Sequence, residues 1–370
     1  MTGSEWFAAA PGGLNRYFTD LFDALTRQPN VTVSATAFGA VSADSAESLL
    51  GARSWGPLGG STLRRARTAF FDRAELRRAT VLDRHFCLYG PAAIDRRGRL
   101  PLVVHFHGPW AAESRLTGQS ELGARAKYLV ERLRYAGADR FVVLSNHFRD
   151  VLSNDYRVPA ERISVIAPGV DLSRFRATPI PAADSSVTGP ARRTVLCVRR
   201  LERRMGIANL LRCWPEVLDQ HPDARLVLVG TGTAEQELRA QAAALDSKAA
   251  ESIVFAGHID DTRLTELYEQ AELTVVPTIA LEGFGLIALE SLAAGRAPIV
   301  TDCGGLPDSV QGLDPSLIVP AGDADALGDR ITAALRGILP SPAECRSHAE
   351  TFSWDVTAAR HSAMYEELTH

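Results

Sequence analysis

Lysine is almost missing from this chain: Lys127 and Lys248 are the only two in 370 residues, and arginine carries nearly all the positive charge. Together with abundant alanine, that bias reflects a GC-rich coding sequence rather than a chemical requirement. The formal net charge is −4, so the basic excess that general nucleic-acid affinity requires is absent. No apolar run approaches about 18 residues, which excludes a membrane-spanning helix. The opening MTGSEWFAAAPGG has no charged segment followed by an apolar one, so it does not read as a secretory leader, and the cytoplasm is the expected compartment. The cysteines (Cys87, Cys197, Cys213, Cys303, Cys345) are scattered, odd in number and without a CxxC pair. That pattern speaks against a disulfide framework and against a zinc site, and Cys197, inside an apolar run, reads as a small core residue.

What is present is ordinary globular material, 46% hydrophobic and 23% charged, at a length that favours two domains. Strand-like runs alternate with amphipathic ones, the pattern of parallel α/β sheets. The first series is Val31–Phe38, Leu102–Phe106, Arg140–Leu144 and Ile163–Ile166, with helical stretches around Gly13–Gln28 and Ala124–Ala136. TPIPAADSSVTGPARR, residues 178–193, is the best linker. A second series follows: Thr194–Val198, Arg225–Gly230, Ser252–Ala256, Leu273–Val276, Ala297–Thr301 and Ser316–Val319. The expectation is two doubly wound Rossmann-like domains, 1–177 and 194–353, facing across a cleft. The last helix, 354–370, is able to cross back to the first domain. Ligands in such sheets bind beyond the carboxyl ends of the strands. One irregularity is that Pro11-Gly12-Gly13 opens a helix with no strand visible before it, so the first strand is expected upstream of residue 1.

Three segments carry chemistry. In LEGFGLIALESLAAG, residues 281–295, a strand and loop lead to a helix beginning at Gly285. The amides of Gly283, Phe284 and Gly285 would meet phosphate oxygens there. Glu282 and Glu290 are spaced to touch successive parts of one extended ligand; the alternative makes them a helix cap and a solvated side chain. In VLCVRRLERRMGIANLL, residues 195–211, Arg199 and Arg200 end a strand, where forked, permanently charged donors suit a diphosphate or simply form a solvated cluster. In PLVVHFHGPW, residues 101–110, His105 and His107 share one strand face and His107 stands at its end, as a site residue or a structural one. Gly230-Thr231-Gly232 lacks the third glycine and the acid of a dinucleotide fingerprint. Asp323-Ala324-Asp325 resembles a metal-binding pair but sits where a helix cap is expected.

In order and spacing these segments resemble the family 4 retaining glycosyltransferases of GT-B fold. The resemblance spans nearly the whole chain. It rests also on Gly12-Gly13 before Arg16 and Tyr17, on VLSNHFRDVL (143–152), on ISVIAPGVDLSRF (163–175) and on Gly304-Gly305. It implies that Gly12 and Gly13 approach donor phosphates, that His107 sits beside the reacting sugar and that Arg200 holds the diphosphate. Glu282 would bind donor-sugar hydroxyls and Glu290 the ribose, with the amides of Phe284 to Leu286 on sugar and phosphate. Residues around Gly257, His258 and Ile259 would line the base pocket, with Gly230 nearby. One departure is that Met205 stands where the family pattern has a lysine; Arg204 is expected to supply the cation, with Arg203 beside it.

The activity implied is metal-independent, retaining transfer from a nucleotide diphosphate-sugar, UDP-sugar favoured. The acceptor would be a hydroxyl in natural-product, glycolipid or polysaccharide synthesis. No cofactor beyond that co-substrate is expected, and no nucleic-acid partner. LRRARTAFFDRAELRR, Leu63 to Arg78, is basic with Phe70 and Phe71 as apolar contacts; it either touches an anionic membrane peripherally or is a solvated helix. Rival readings are a sugar-nucleotide epimerase of the same fold, separable by its free-sugar product, and a non-catalytic sugar-nucleotide-binding partner subunit.

Overall fold

Val195, Leu196 and Cys197 are each at most 1% exposed. A strand buried on both faces needs helices on both, which is the condition for a parallel sheet. In the computed structural model this strand is central to one of two such sheets. Residues 1–10, 12–41, 51–74, 76, 78–95, 98–109, 120–179 and 193–369 are described. The chain divides into two units, Met1–Gly169 with Trp354–His370, and Val170–Ser353. Most of the expected linker, 180–192, lies outside the described residues.

The first unit holds β1 (Thr2–Glu5), β2 (Ala35–Phe38), β3 (Ala52–Ser54), β4 (Leu82–Arg84), β7 (Leu102–Phe106), β8 (Arg140–Val143) and β9 (Ile163–Val165). Their order is β3-β2-β1-β4-β7-β8-β9, and all pairs are parallel. A small antiparallel ribbon joins β5 (Ile94–Asp95) to β6 (Gly98–Arg99). The strand expected upstream of residue 1 is therefore corrected: Thr2–Glu5 pairs with both β2 and β4 in mid-sheet. The sequence TGSE hides it, having no apolar alternation. Gly3 is needed because a Cβ there would lie 2.7 Å from the Phe18 ring of helix α1, Gly13–Thr26. The closing helix, Trp354–Thr369, packs in this unit against α1, with Trp354 5.7 Å from Tyr17.

The second unit holds β10 (Arg193–Val198), β11 (Ala224–Val229), β12 (Ile253–Gly257), β13 (Ala271–Val276), β14 (Pro298–Thr301) and β15 (Ile318–Val319), in the order β12-β11-β10-β13-β14-β15, again all parallel. Helix Ile207–Gln220 turns Leu210, Leu211, Trp214, Val217 and Leu218 onto this sheet, and the Trp214 indole donates to Ser252 Oγ at 2.7 Å. Asp323 caps helix Ala324–Leu335 by accepting from the Ala326 amide at 3.0 Å. All five cysteines are buried and free. Among the described residues no helix is long and apolar enough to cross a membrane.

Candidate functional site

β10 delivers Arg199 and Arg200 to the carboxyl edge of the second sheet, and their fates differ. Arg199 is 7% exposed. Its guanidinium donates to Thr278 Oγ1 at 2.5 Å, forms an ion pair with Glu282 and lies 3.0 Å from Met205 Sδ. Arg200 is exposed. Its charge helps, after the Thr233 hydroxyl and amide, to hold the Glu202 carboxyl below the ordinary range. Arg203 reaches away to Glu237 at 2.9 Å, while Arg204 donates to the Leu281 and Ala280 carbonyls at 3.0 and 3.3 Å. Arg204 thus braces the loop that carries Glu282. Met205, at the family's lysine position, is buried against Arg199.

The loops at this edge press backbone against backbone. A Cβ on Gly206 would lie 1.8 Å from the Pro277 carbonyl oxygen, and one on Gly304 would lie 2.1 Å from that of Glu282. Between those contacts Leu281 has φ 53, a left-handed conformation that a branched side chain rarely adopts. Gly285, φ 87, then starts helix Leu286–Ala293. The first-turn amides there have no partner within the helix, and the helix dipole favours an anion beside them. Phe284 is buried and Gly283 and Leu286 half-buried. Glu290, on the same helix, accepts from the Tyr268 hydroxyl at 3.1 Å. Gly230 follows β11, and exposed His258 and half-buried Ile259 follow β12. The strand order therefore collects the arginines, the glycines, His258, Ile259 and Glu282 along one edge.

The first unit carries Gly12, Gly13 and His107. Both glycines are exposed at the start of α1 with no neighbour within 4 Å of a built Cβ. His107 follows β7, half-buried, and meets Tyr17 edge-on at 5.1 Å. Burial holds its imidazole well below the ordinary histidine range. Behind it stand His105, His85 and His361, and burial brings His105 and His361 down to about 4. A cavity of about 680 Å³ in this unit, lined in part by Asn30 to Ser34 and Val81 to Asp83, opens at the amino edge of the sheet, opposite to His107.

Two family models match in series: Glycosyltransferase Family 4 over residues 11–174 and Glycosyl transferases group 1 over residues 192–337. The chain belongs to glycosyltransferase family 4. Among its relatives, the D-inositol 3-phosphate glycosyltransferase of Acidothermus cellulolyticus is 31% identical over 78% of this chain and 67% of its own length. A glycogen synthase of Mycobacterium tuberculosis is 29% identical over 65% of this chain and 57% of its own. The chain thus spans between about half and two thirds of the length of the curated relatives it matches. HepE of Anabaena, solved with UDP, superposes with a TM-score of 0.71 over 99% of this chain and 98% of that one at 17% identity. Sucrose-phosphate synthase of Thermosynechococcus elongatus gives 0.69 over 99% and 95% at 23% identity. The fold of this family 4 member is GT-B.

Position at the strand end does not separate Arg199 from Arg200, and the resemblance alone chose Arg200. Alternation does not decide between them, because Leu196 on the Arg200 face is as buried as Val195 and Cys197 on the Arg199 face. His85 and Asp83 were missed altogether, because LDRHF shows no apolar alternation.

His105 and His361 stay neutral in the folded chain down to about 4, whereas unfolded imidazoles take up protons below about 6.5. The unfolded state binds more protons between those values, so stability is full above about 6.5 and falls as pH drops toward about 4. Thermal midpoints measured across this range should decline steadily on acidification. A flat profile would contradict burial of neutral rings.

Proposed function

We propose that this chain is a retaining, metal-independent glycosyltransferase that moves a sugar from a nucleotide diphosphate-sugar, with UDP-sugar favoured, to an acceptor hydroxyl. The observation that carries the reading is the second unit's carboxyl edge, where exposed Arg200 and the helix start at Gly285 flank the paired Arg199 and Glu282. The UDP in HepE supports the choice of donor. Breaking the bond between the anomeric carbon and the phosphate oxygen leaves negative charge on the diphosphate. Arg200 and the amides of Phe284, Gly285 and Leu286 meet that charge. The acceptor oxygen attacks on the face from which the diphosphate departs, and a phosphate oxygen takes its proton. Glu282, already oriented by Arg199, receives donor-sugar hydroxyls; Glu290, oriented by Tyr268, receives the ribose. His107 keeps the orienting role that the resemblance gives it. Arg204 acts on the donor through the loop it braces.

Arg200→Ala should lower transfer by about 10²–10³-fold with unchanged folding, and EDTA should leave transfer intact. Near wild-type turnover in the variant, or activity abolished by EDTA, would overturn the scheme.

The acceptor side is proposed to include peripheral contact with an anionic membrane. Helix Thr62–Phe71 exposes Leu63 at 79% and Phe71 at 64%, with Arg64 and Arg67 also exposed. Sedimentation with anionic liposomes should carry the chain down, and Arg64→Glu with Arg67→Glu should release it. Equal recovery of both proteins in the supernatant would remove this contact.

A further inference from the structure

Three histidines of the first unit converge, and two of them have no part in the reaction proposed above. His85 follows β4, His105 lies within β7 and His107 follows β7. One ring nitrogen from each lies within 4.8 Å of one from each of the others. His85 and His105 are 1% and 3% exposed, while His107 is half-buried. The cluster is closed at its base and approached from the His107 side.

Hydrogen bonding leaves lone pairs over at this point. Asp83, itself 3% exposed, places one oxygen 3.1 Å from His105 Nε2 and 3.6 Å from His85 Nε2. The Tyr365 hydroxyl of the closing helix donates to its other oxygen. The oxygen that takes the Tyr365 hydroxyl also accepts from His105 Nε2 at 3.3 Å, which favours hydrogen on His105 Nε2 and leaves its Nδ1 a bare lone pair. Neither ring nitrogen of His85 has a hydrogen-bond partner, so a bare lone pair remains there in either tautomer. His85 Nδ1, His105 Nδ1 and His107 Nε2 are all buried atoms without a hydrogen-bond partner. Unanswered lone pairs in a dry interior are unfavourable. A water molecule has two hydrogens for three such acceptors. One nitrogen of each ring lies within 4.8 Å of one from each of the others, so a single cation takes a lone pair from every ring.

We propose that His85, His105 and His107 bind one divalent transition-metal ion of the zinc class, with Asp83 holding the His105 ring and a fourth coordination position open on the His107 side. Three neutral imidazoles suit zinc, cobalt or nickel, whereas magnesium and calcium take oxygen donors. Zinc holds imidazole nitrogen at about 2.0–2.1 Å, so tetrahedral ligand nitrogens sit about 3.4 Å apart, inside the 4.8 Å that bounds the spacing here. The His85 and His105 rings stack with centroids 3.7 Å apart. Binding fans them so that their in-plane lone pairs meet at the ion. The expectation of no zinc site rested on the cysteine pattern, and the cluster proposed here uses no thiolate. An ion here also takes the His107 lone pair, so zinc slows transfer; that consequence rests on the proposed role of His107, and metal binding does not.

The test is titration of the full chain, stripped with chelator, with Co²⁺ followed by visible absorption, then displacement by Zn²⁺. One equivalent should produce the intense bands of a tetrahedral cobalt site and should be displaced by zinc. His85→Gln should abolish the bands. Asp83→Asn, which keeps all three ligands, should weaken affinity by about 10–100-fold, and far-ultraviolet circular dichroism checks that each variant is folded. Absence of saturable binding by wild type overturns the proposal. So do bands that persist at full strength and unchanged affinity in His85→Gln, His105→Gln and Asp83→Asn, since the ion then sits on an exposed histidine such as His258. None of these readouts requires turnover, so failure of the donor scheme leaves the result interpretable.

Discussion

The ion pair between Arg199 and Glu282 is the constraint around which the second unit's edge is arranged. Both side chains are largely out of solvent, at 6% and 16% exposure, so each charge depends on the other. Removing one partner of such a pair typically costs about 3–5 kcal/mol, because the remaining charge is left uncompensated. The pair ties the end of β10 to the loop after β13. Thr278, Met205 and the Arg204 bonds to that loop complete the attachment. Left-handed Leu281 persists because these contacts and the Gly304 approach over-determine it. The helix start at Gly285 inherits its position from this loop, and so do the amides proposed to meet a phosphate.

That arrangement divides the work between two adjacent arginines. Arg199 points inward and serves the architecture, while Arg200 is exposed and is the one proposed to meet the donor's charge. The same division accounts for Met205. A lysine there would bring a third cation next to Arg199, in a place where the methionine thioether instead packs against the guanidinium. Thr278, Glu282 and Met205 all lie against one guanidinium nitrogen of Arg199, Nη2.

Most of the second unit was legible in the sequence. All six of its strands are short apolar runs between turn signals, and the observed bounds differ from the expected ones by one or two residues. In the first unit β7, β8 and β9 were equally plain, but β1, β3 and β4 were not. TGSE and LDR lie mid-sheet around the polar cluster of Asp83, His85 and His105, whereas ARS is the sheet's part-exposed edge strand, paired only with β2. Periodicity reports hydrophobic burial and is silent where the buried groups are polar. The candidate site shows the same limit. Spacing singled out Glu282 and Glu290 and the resemblance Arg200, but the partners of the glutamates, Arg199 and Tyr268, come from other strands and helices, and only the fold reveals them.

The most direct test is calorimetric titration of UDP, with GDP and dTDP as references, into the wild-type chain and Arg199→Ala. UDP should bind the wild type more tightly than either reference. Arg199→Ala, though it need not touch the nucleotide, should weaken UDP by at least about tenfold, equivalent to about 1.4 kcal/mol, while circular dichroism shows the chain still folded. Equal UDP affinity in the two proteins would contradict the claim that this ion pair builds the donor site.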